Sequence, residues 1–274
     1  TATWAPATNT SYKVEHYLQK LNAADYEWVY TDNLTGTTET TAIATPKTLA
    51  GFTYKDNAVG SVPSGTILPD GSLVLKLYYS RNTYTVSFNG NGMGSSATES
   101  ATVAYLGTLT EPAAPSRAGY TFEGWTKEAT GETPWTFATD TVTQATTLYA
   151  QWQANIYEVR FDFNYVGAPA AEKINQTYDA NYVLPTHPQR IGYAFEGWYD
   201  SISNGDQVNG ASVVGITENQ TLYASWSEAE NTPYTVKHYQ QNVSGTEYTE
   251  VTVDIQVLTG VTNAMTQATH KNYV

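Results

Sequence analysis

Trp4 and Trp226 stand 222 residues apart, and so do Tyr12 and Tyr234. After Trp4 the chain reads Tyr12-Lys13-Val14-Glu15-His16-Tyr17, and after Trp226 it reads Tyr234-Thr235-Val236-Lys237-His238-Tyr239. A catalytic domain has no reason to recur in this way. A stacked array does, because each small unit adds length or valency. The recurrence makes the chain one full period of a long repeat and the start of the next.

A shorter repeat lies inside the long one. Tyr84-Thr85-Val86-Ser87-Phe88 matches Tyr157-Glu158-Val159-Arg160-Phe161. Pro115 to Trp125 matches Pro188 to Trp198, both ending in Gly-Tyr-x-Phe-Glu-Gly-Trp. Thr147-Leu148-Tyr149-Ala150-Gln151-Trp152 matches Thr221-Leu222-Tyr223-Ala224-Ser225-Trp226. The matches divide the chain into the end of a preceding module with its linker (1–11), module A1 (12–81), module B1 (82–153), module B2 (154–228) and an incomplete module A2 (229–274). The opening Ala2-Thr3-Trp4 copies Ala224-Ser225-Trp226 and reads as the last strand of another B module. In A2, Leu258-Thr259-Gly260 matches Leu34-Thr35-Gly36, but nothing follows Val274 to match Gly51 to Tyr79. The chain therefore reads as a piece of a longer protein.

Units of roughly 70 residues bury only about 60% of their unfolded surface and are marginal alone. Disulfides are excluded by the absence of cysteine, and the four histidines are too scattered to hold a structural metal. A core of aromatic rings is the remaining solution, and 22 Tyr, 7 Trp and 7 Phe supply it. The net charge of −13 argues against nucleic acid and anionic membranes as partners, since both are bound through Lys and Arg clusters. No run of 18 apolar residues exists to span a membrane. A cysteine-free chain rich in Thr and Asn fits a bacterial surface protein.

Strand signals dominate. Tyr84, Val86 and Phe88 alternate with polar residues, as do Tyr157, Val159, Phe161 and Phe163, and Leu148, Ala150 and Trp152 form the inward face of a closing strand. Tyr12, Val14 and His16 share one face of the first strand of A1. Pro69-Asp70-Gly71 reads as a hairpin turn before a strand from Leu73 to Tyr79, and Asn89-Gly90-Asn91-Gly92 is also turn chemistry. The best helical candidate is one turn over 121–127, with its counterpart over 194–200. It would lay Phe122 and Trp125, three apart, onto a sheet. Between 204 and 215 module B2 departs from the repeat pattern and is expected to be irregular.

The B modules resemble the Listeria–Bacteroides repeat, the B-repeat unit of internalin-type surface proteins. The three blocks that carry the resemblance run in order, twice, over about half of the chain. The A modules are similar to mucin-binding-protein-like repeats of Gram-positive surface proteins, through Tyr-x-Val-x-His-Tyr, the Pro46 to Phe52 block and the final Leu-Tyr-Tyr strand. The resemblance implies an α+β, strand-dominated fold: tandem small β-grasp, ubiquitin-like modules in an extended array, each mixed sheet crossed by one short helix or wide loop. It also implies a bacterial cell surface as the setting, with attachment to the cell wall through parts outside this segment. It supplies no ligand and no catalytic residue.

No nucleophile constellation is present, so no catalytic, metal, cofactor or ligand-binding residue is assigned. His16 and His238 recur at one repeat position and read as packed, hydrogen-bonded residues; His187 and His270 fall in loops. The carboxylate pairs Glu27 and Asp32, and Glu247 and Glu250, have no fixed place across modules and read as solvated surface rather than glycosidase acids. Asp56-Asn57 and Asn204-Gly205-Asp206 lack the alternation of a calcium loop and read as turns. Trp125 and Trp198 read as core rather than as sugar-stacking platforms, and Glu123 and Glu196 as caps of local backbone N–H groups. Lys13 and Lys237 are the lysines placed for a cross-link, but the sequence shows no buried carboxylate beside them.

The resulting expectation is a non-enzymatic spacer that projects a distal domain from a bacterial cell wall. The alternative is a module that binds host glycan or protein. Partners are then neighbouring modules and, in the alternative, a host glycan or surface protein. Modules of about 30–35 Å joined by linkers of four residues would make a rod of about 110–130 Å.

Overall fold

The computed structural model describes residues 3–92 and 99–273. The chain divides into two compact units, Thr1–Arg117 with Thr121–Gln153, and Ala118–Tyr120 with Ala154–Val274. The opening Ala2 and the final Val274 lie outside the described residues, while Thr3 and Trp4 are in no strand and Trp4 is exposed.

The strands up to residue 81 are β1 (Thr10–Gln19), β2 (Tyr26–Gly36), β3 (Thr41–Ile43), β4 (Phe52–Tyr54), β5 (Ser64–Thr66) and β6 (Val74–Arg81). The first sheet has the order β2-β1-β6-β4, and β3 pairs with β5 beside it. β1 runs parallel to β6, from Lys13 opposite Val74 to Leu18 opposite Tyr79. Alternation makes the core: Val14 and His16 from β1, and Leu75, Leu77 and Tyr79 from β6, all face inward and are buried. Pro69-Asp70-Gly71 does form a turn, with Gly71 at φ 72 and its N–H donating to the Leu68 carbonyl. Among the described residues it closes no hairpin ladder, because β6 pairs with β1 and β4, and the arms are linked by the Val62–Lys76 bridge.

The second sheet is built from β7 (Thr83–Asn89), β8 (Ser100–Ala104), β9 (Tyr120–Thr126) and β10 (Thr146–Ala154), in the order β8-β7-β10-β9. The third is built from β11 (Ile156–Asp162), β12 (Glu172–Thr177), β13 (Tyr193–Tyr199), β14 (Gln207–Val208) and β15 (Gln220–Glu228), in the order β12-β11-β15-β13-β14. First and last long strands again run parallel, β7 with β10 and β11 with β15. A chain that returns parallel to its first strand enters a sheet at one end and leaves at the other. The cores match residue for residue: Val86, Phe88, Trp125, Leu148 and Ala150 in one, Val159, Phe161, Trp198, Leu222 and Ala224 in the other. Trp125 and Trp198 are both buried, as their repeat position predicts.

The remaining strands are β16 (Thr232–Val236), β17 (Tyr239–Gln241), β18 (Tyr248–Glu250) and β19 (Gln256–Gly260). They form two separate pairs, β16 with β19 and β17 with β18, with a 3-10 turn at Thr252–Asp254 between the strands. The β16–β19 register copies that of β1–β2, with Thr232 opposite Gly260 where Thr10 stands opposite Gly36.

The α+β, β-grasp expectation is overturned. Among the described residues there is no α-helix, and that 3-10 turn is the one helical element. The stretches expected to form a helical turn, 121–127 and 194–200, belong to the strands β9 and β13. The physical reason is a bulge. Pairing of β13 with β15 slips between Phe195 and Gly197, and Gly197 takes φ 147. One extra residue in a strand puts residues three apart on the same face. Phe195 and Trp198 therefore meet at 5.4 Å on the core side, a spacing that in sequence looks helical. Gly124 takes φ 135 and brings Phe122 to 5.5 Å from Trp125 in the same way. In the 204–215 segment β14 pairs Val208 with Trp198 and Val213 bridges Asn181; the rest is irregular.

Candidate functional site

Two arrangements carry the polar chemistry of the chain, and the second of them recurs. The first is a polar network buried in the first sheet. β1 places His16 at 0% exposure, stacked on Tyr30 with ring centroids 4.4 Å apart. His16 Nδ1 lies 2.9 Å from the Tyr79 hydroxyl, and Nε2 lies 3.2 Å from Asp32 Oδ2. The Lys47 backbone N–H donates to the Tyr79 oxygen at 3.0 Å, and Lys47 Nζ donates to Asp32 Oδ1 at 2.7 Å. The carboxylate only accepts, so Nε2 carries the proton; Tyr79 then donates to Nδ1 while accepting from Lys47. His16, Tyr79, Asp32 and Lys47 are each satisfied with the ring neutral. Burial lowers the His16 pKa below 6.5 against the opposing pull of Asp32. The Lys47 ammonium holds the Asp32 carboxyl below its usual 3.8, and burial pushes Tyr79 up.

A relay of Lys, Asp, His and Tyr can move protons, but this one is closed around a packed imidazole whose ring nitrogens are taken by Tyr79 and Asp32. It holds β1, β2, β6 and the 44–51 loop together, as expected of a structural histidine. Sequence reading placed Asp32 among solvated surface carboxylates; it is instead the anchor of the network. The repeat gave no signal for it, since the β16–β19 register sets Gln256 opposite Val236 where β1–β2 sets Asp32 opposite Val14. Asp254, in the 3-10 turn, pairs with Lys271 Nζ at 2.7 Å, and its pKa is lowered first by that bond.

The other candidates are kept apart by the fold. His187 rests 5.5 Å from the Phe195 ring, and His270 is exposed in no element. Glu27 is exposed, while Glu250 binds Lys237 at 3.2 Å. Lys13 is exposed and has no ion pair among the described residues. Asp56-Asn57 sits in a turn, and the N–H of Asp206 is held by Asp200 at 2.8 Å. No group of carboxylates and histidines that could hold a metal ion is present among the described residues. Glu196 caps no backbone N–H; its carboxylate accepts the Ser227 hydroxyl across the β13 bulge, and Glu123 is exposed.

The second arrangement escaped sequence reading. Gly51, Gly119 and Gly192 stand just before β4, β9 and β13, with φ of 74, 75 and 79. In the first unit the Gly51 carbonyl accepts the N–H of Asn82, and the Asn82 carbonyl accepts the N–H of Tyr105. Arg81, between them in sequence, donates from Nη1 to the Tyr105 carbonyl at 2.8 Å and from Nε and Nη2 to the Gln19 carbonyl. Its guanidinium lies 4.8 Å from the Phe52 ring centroid. The same ladder recurs within the second unit, as Gly192, Ala229 and Thr262, and as Gly119, Asn155 and Tyr178. A Cβ on the three glycines would come 2.1 Å from Tyr105, 2.9 Å from Thr262 and 2.3 Å from Tyr178. Both the left-handed conformation and the close approach demand glycine.

These sheets, cores and glycine ladders repeat along the stretches that the comparisons single out. Residues 84–151 and 157–225 match the Listeria-Bacteroides repeat domain, and together they make up half of the chain. The chain belongs to the Listeria–Bacteroides repeat family. Internalin H of Listeria monocytogenes is 37% identical over 149 residues, 54% of this chain and 26% of that protein. A protein of Evansella cellulosilytica with a provisional membrane-protein name is 34% identical over 167 residues, 61% of this chain and 23% of its own length. A second protein of that organism, with a provisional Gly-rich membrane-protein name, is 34% identical over 157 residues, 57% of this chain and 17% of its own length. The chain thus spans about a quarter or less of the curated relatives it matches. None of its helices, among the described residues, is long and apolar enough to cross a membrane.

Proposed function

We propose that this repeat segment is a non-catalytic spacer of a bacterial surface protein, holding a distal part of the parent protein away from the cell wall. The setting is drawn from the likeness to Internalin H and from membership of the repeat family. The observation that carries the spacer role is the glycine ladder at Gly51–Asn82–Tyr105 and its recurrences. A flexible tether needs no such device. A spacer that transmits reach does, because a linker with its own N–H and C=O groups bonded on both sides cannot swing freely. The parallel pairing of first and last strands supports the same reading, since it passes the chain through each sheet from end to end.

Hydrogen exchange on the whole chain tests this reading. The amides of Asn82, Asn155 and Ala229 are expected to exchange as slowly as those in the neighbouring strands, although they lie in short linkers. Exchange at the rate of an open loop at these three positions would contradict it.

A further inference from the structure

We propose that the 157–225 repeat, in addition to spacing, carries a binding cleft for a carboxylate-bearing sugar. The argument begins from a difference between two copies of one motif. In the 84–151 repeat, Gln151 donates from Nε2 to the Thr126 hydroxyl at 2.8 Å and reaches the Ala129 carbonyl at 3.4 Å. Asn91, in a left-handed turn, donates to the carbonyls of Ala150 and Ala129, both at 2.9 Å. The strand ends and the 128–132 loop are thereby laced shut.

In the 157–225 repeat the equivalents of Gln151 and Thr126 are Ser225 and Tyr199. Asn164 keeps its left-handed turn and its bond to the Ala224 carbonyl at 3.1 Å. Ser225 is too short to reach across to the loop. The loop folds on itself instead, with the Asp200 carboxylate accepting the Asp206 N–H at 2.8 Å. What opens between them is a cleft of about 400 Å³, lined among others by Asn164, Arg190, Tyr199, Tyr223, Ser225 and Trp226. That volume lies within the usual range of small-molecule sites, about 300–1,000 Å³.

The lining names the ligand class. Arg190 is clamped by aromatic rings, 3.6 Å from the Tyr193 centroid, 5.0 Å from Tyr165 and 5.9 Å from Trp226. Stacking fixes the plane of its guanidinium but uses none of its five N–H donors, and that group makes no hydrogen bond or ion pair among the described residues. A planar cation held by its faces with its donor edge unspent suits a carboxylate, which it can bind through two parallel bonds. The Tyr199, Tyr223 and Trp226 side chains and the amide and hydroxyl of Asn164 and Ser225 suit the ring and hydroxyls of a pyranose. The Asp200 carboxylate accepts a backbone N–H and makes no ion pair with Arg190 among the described residues.

The test is a titration of the whole chain with glucuronic acid and N-acetylneuraminic acid, followed by the backbone and indole amide signals of residues 157–226. Glucose, N-acetylglucosamine and a glutamate-rich peptide serve as comparisons. The acidic sugars are expected to saturate, shifting Trp226 and Arg190. Ser225→Gln with Tyr199→Thr installs the pair that already folds in the neighbouring repeat, so it is expected to close the cleft without unfolding it. That double variant and Arg190→Gln should each weaken binding by about tenfold or more. The proposal is overturned if the acidic sugars do not saturate, if neutral sugars or the acidic peptide bind as well, or if the folded double variant binds unchanged.

Discussion

His16 is stable in its place only as a neutral ring. Its Nδ1 receives the Tyr79 proton, so a second proton there would meet a donor rather than an acceptor. Burial accordingly lowers its pKa from 6.5. As pH falls, the unfolded chain takes up this proton first, so the stabilisation is complete above about pH 6.5 and is lost as pH drops through the lowered folded value. The Asp32 carboxyl, also lowered, adds a further loss in the same direction below its usual 3.8. Thermal unfolding between pH 8 and pH 5, followed by signals from residues 10–81, is expected to show a falling midpoint below about pH 6.5. In His16→Gln that slope should flatten; an equal slope in the variant would place the sensitivity elsewhere. The histidine's structural role was legible from its recurrence on a strand face. Its partners were not, because Asp32 and Lys47 become neighbours only when β2 folds back and the 44–51 loop closes over the sheet.

At the scale of elements, alternation located β1, β6, β7, β10, β11 and β15 in the sequence, because each buries one face. The β9 and β13 strands were misjudged because a bulge at Gly124 and Gly197 breaks that alternation and imitates a helical spacing. The glycines at 51, 119 and 192 were visible in the repeats, but what each one faces lies beyond the repeat, on residues 105, 178 and 262. Gly51→Val tests the ladder in the first unit. Its Cβ would collide with the Tyr105 ring, and φ 74 costs a β-branched residue of order 1–3 kcal/mol. Nitrogen-15 relaxation is expected to give residues 12–79 and 84–152 one shared tumbling time in the unsubstituted chain. In the variant the two sets should separate while both sheets stay folded. A shared tumbling time that survives the substitution would remove the glycine from the account.

For the whole molecule, the 222-residue recurrence announced an array, and half of the chain belongs to one repeat family. What such an array does with its length is the central claim. Three complete repeats, each entered at one end and left at the other, and a partial one should reach about 110–130 Å if they stack in line, at roughly 3.3 Å per strand residue. Small-angle scattering of the whole chain decides it. A spacer gives a radius of gyration of about 32–38 Å, the value for a thin rod of that length, with a distance distribution skewed to a long tail. A radius near about 19 Å, the value for a compact chain of this size, with a symmetric distribution, would contradict the spacer reading.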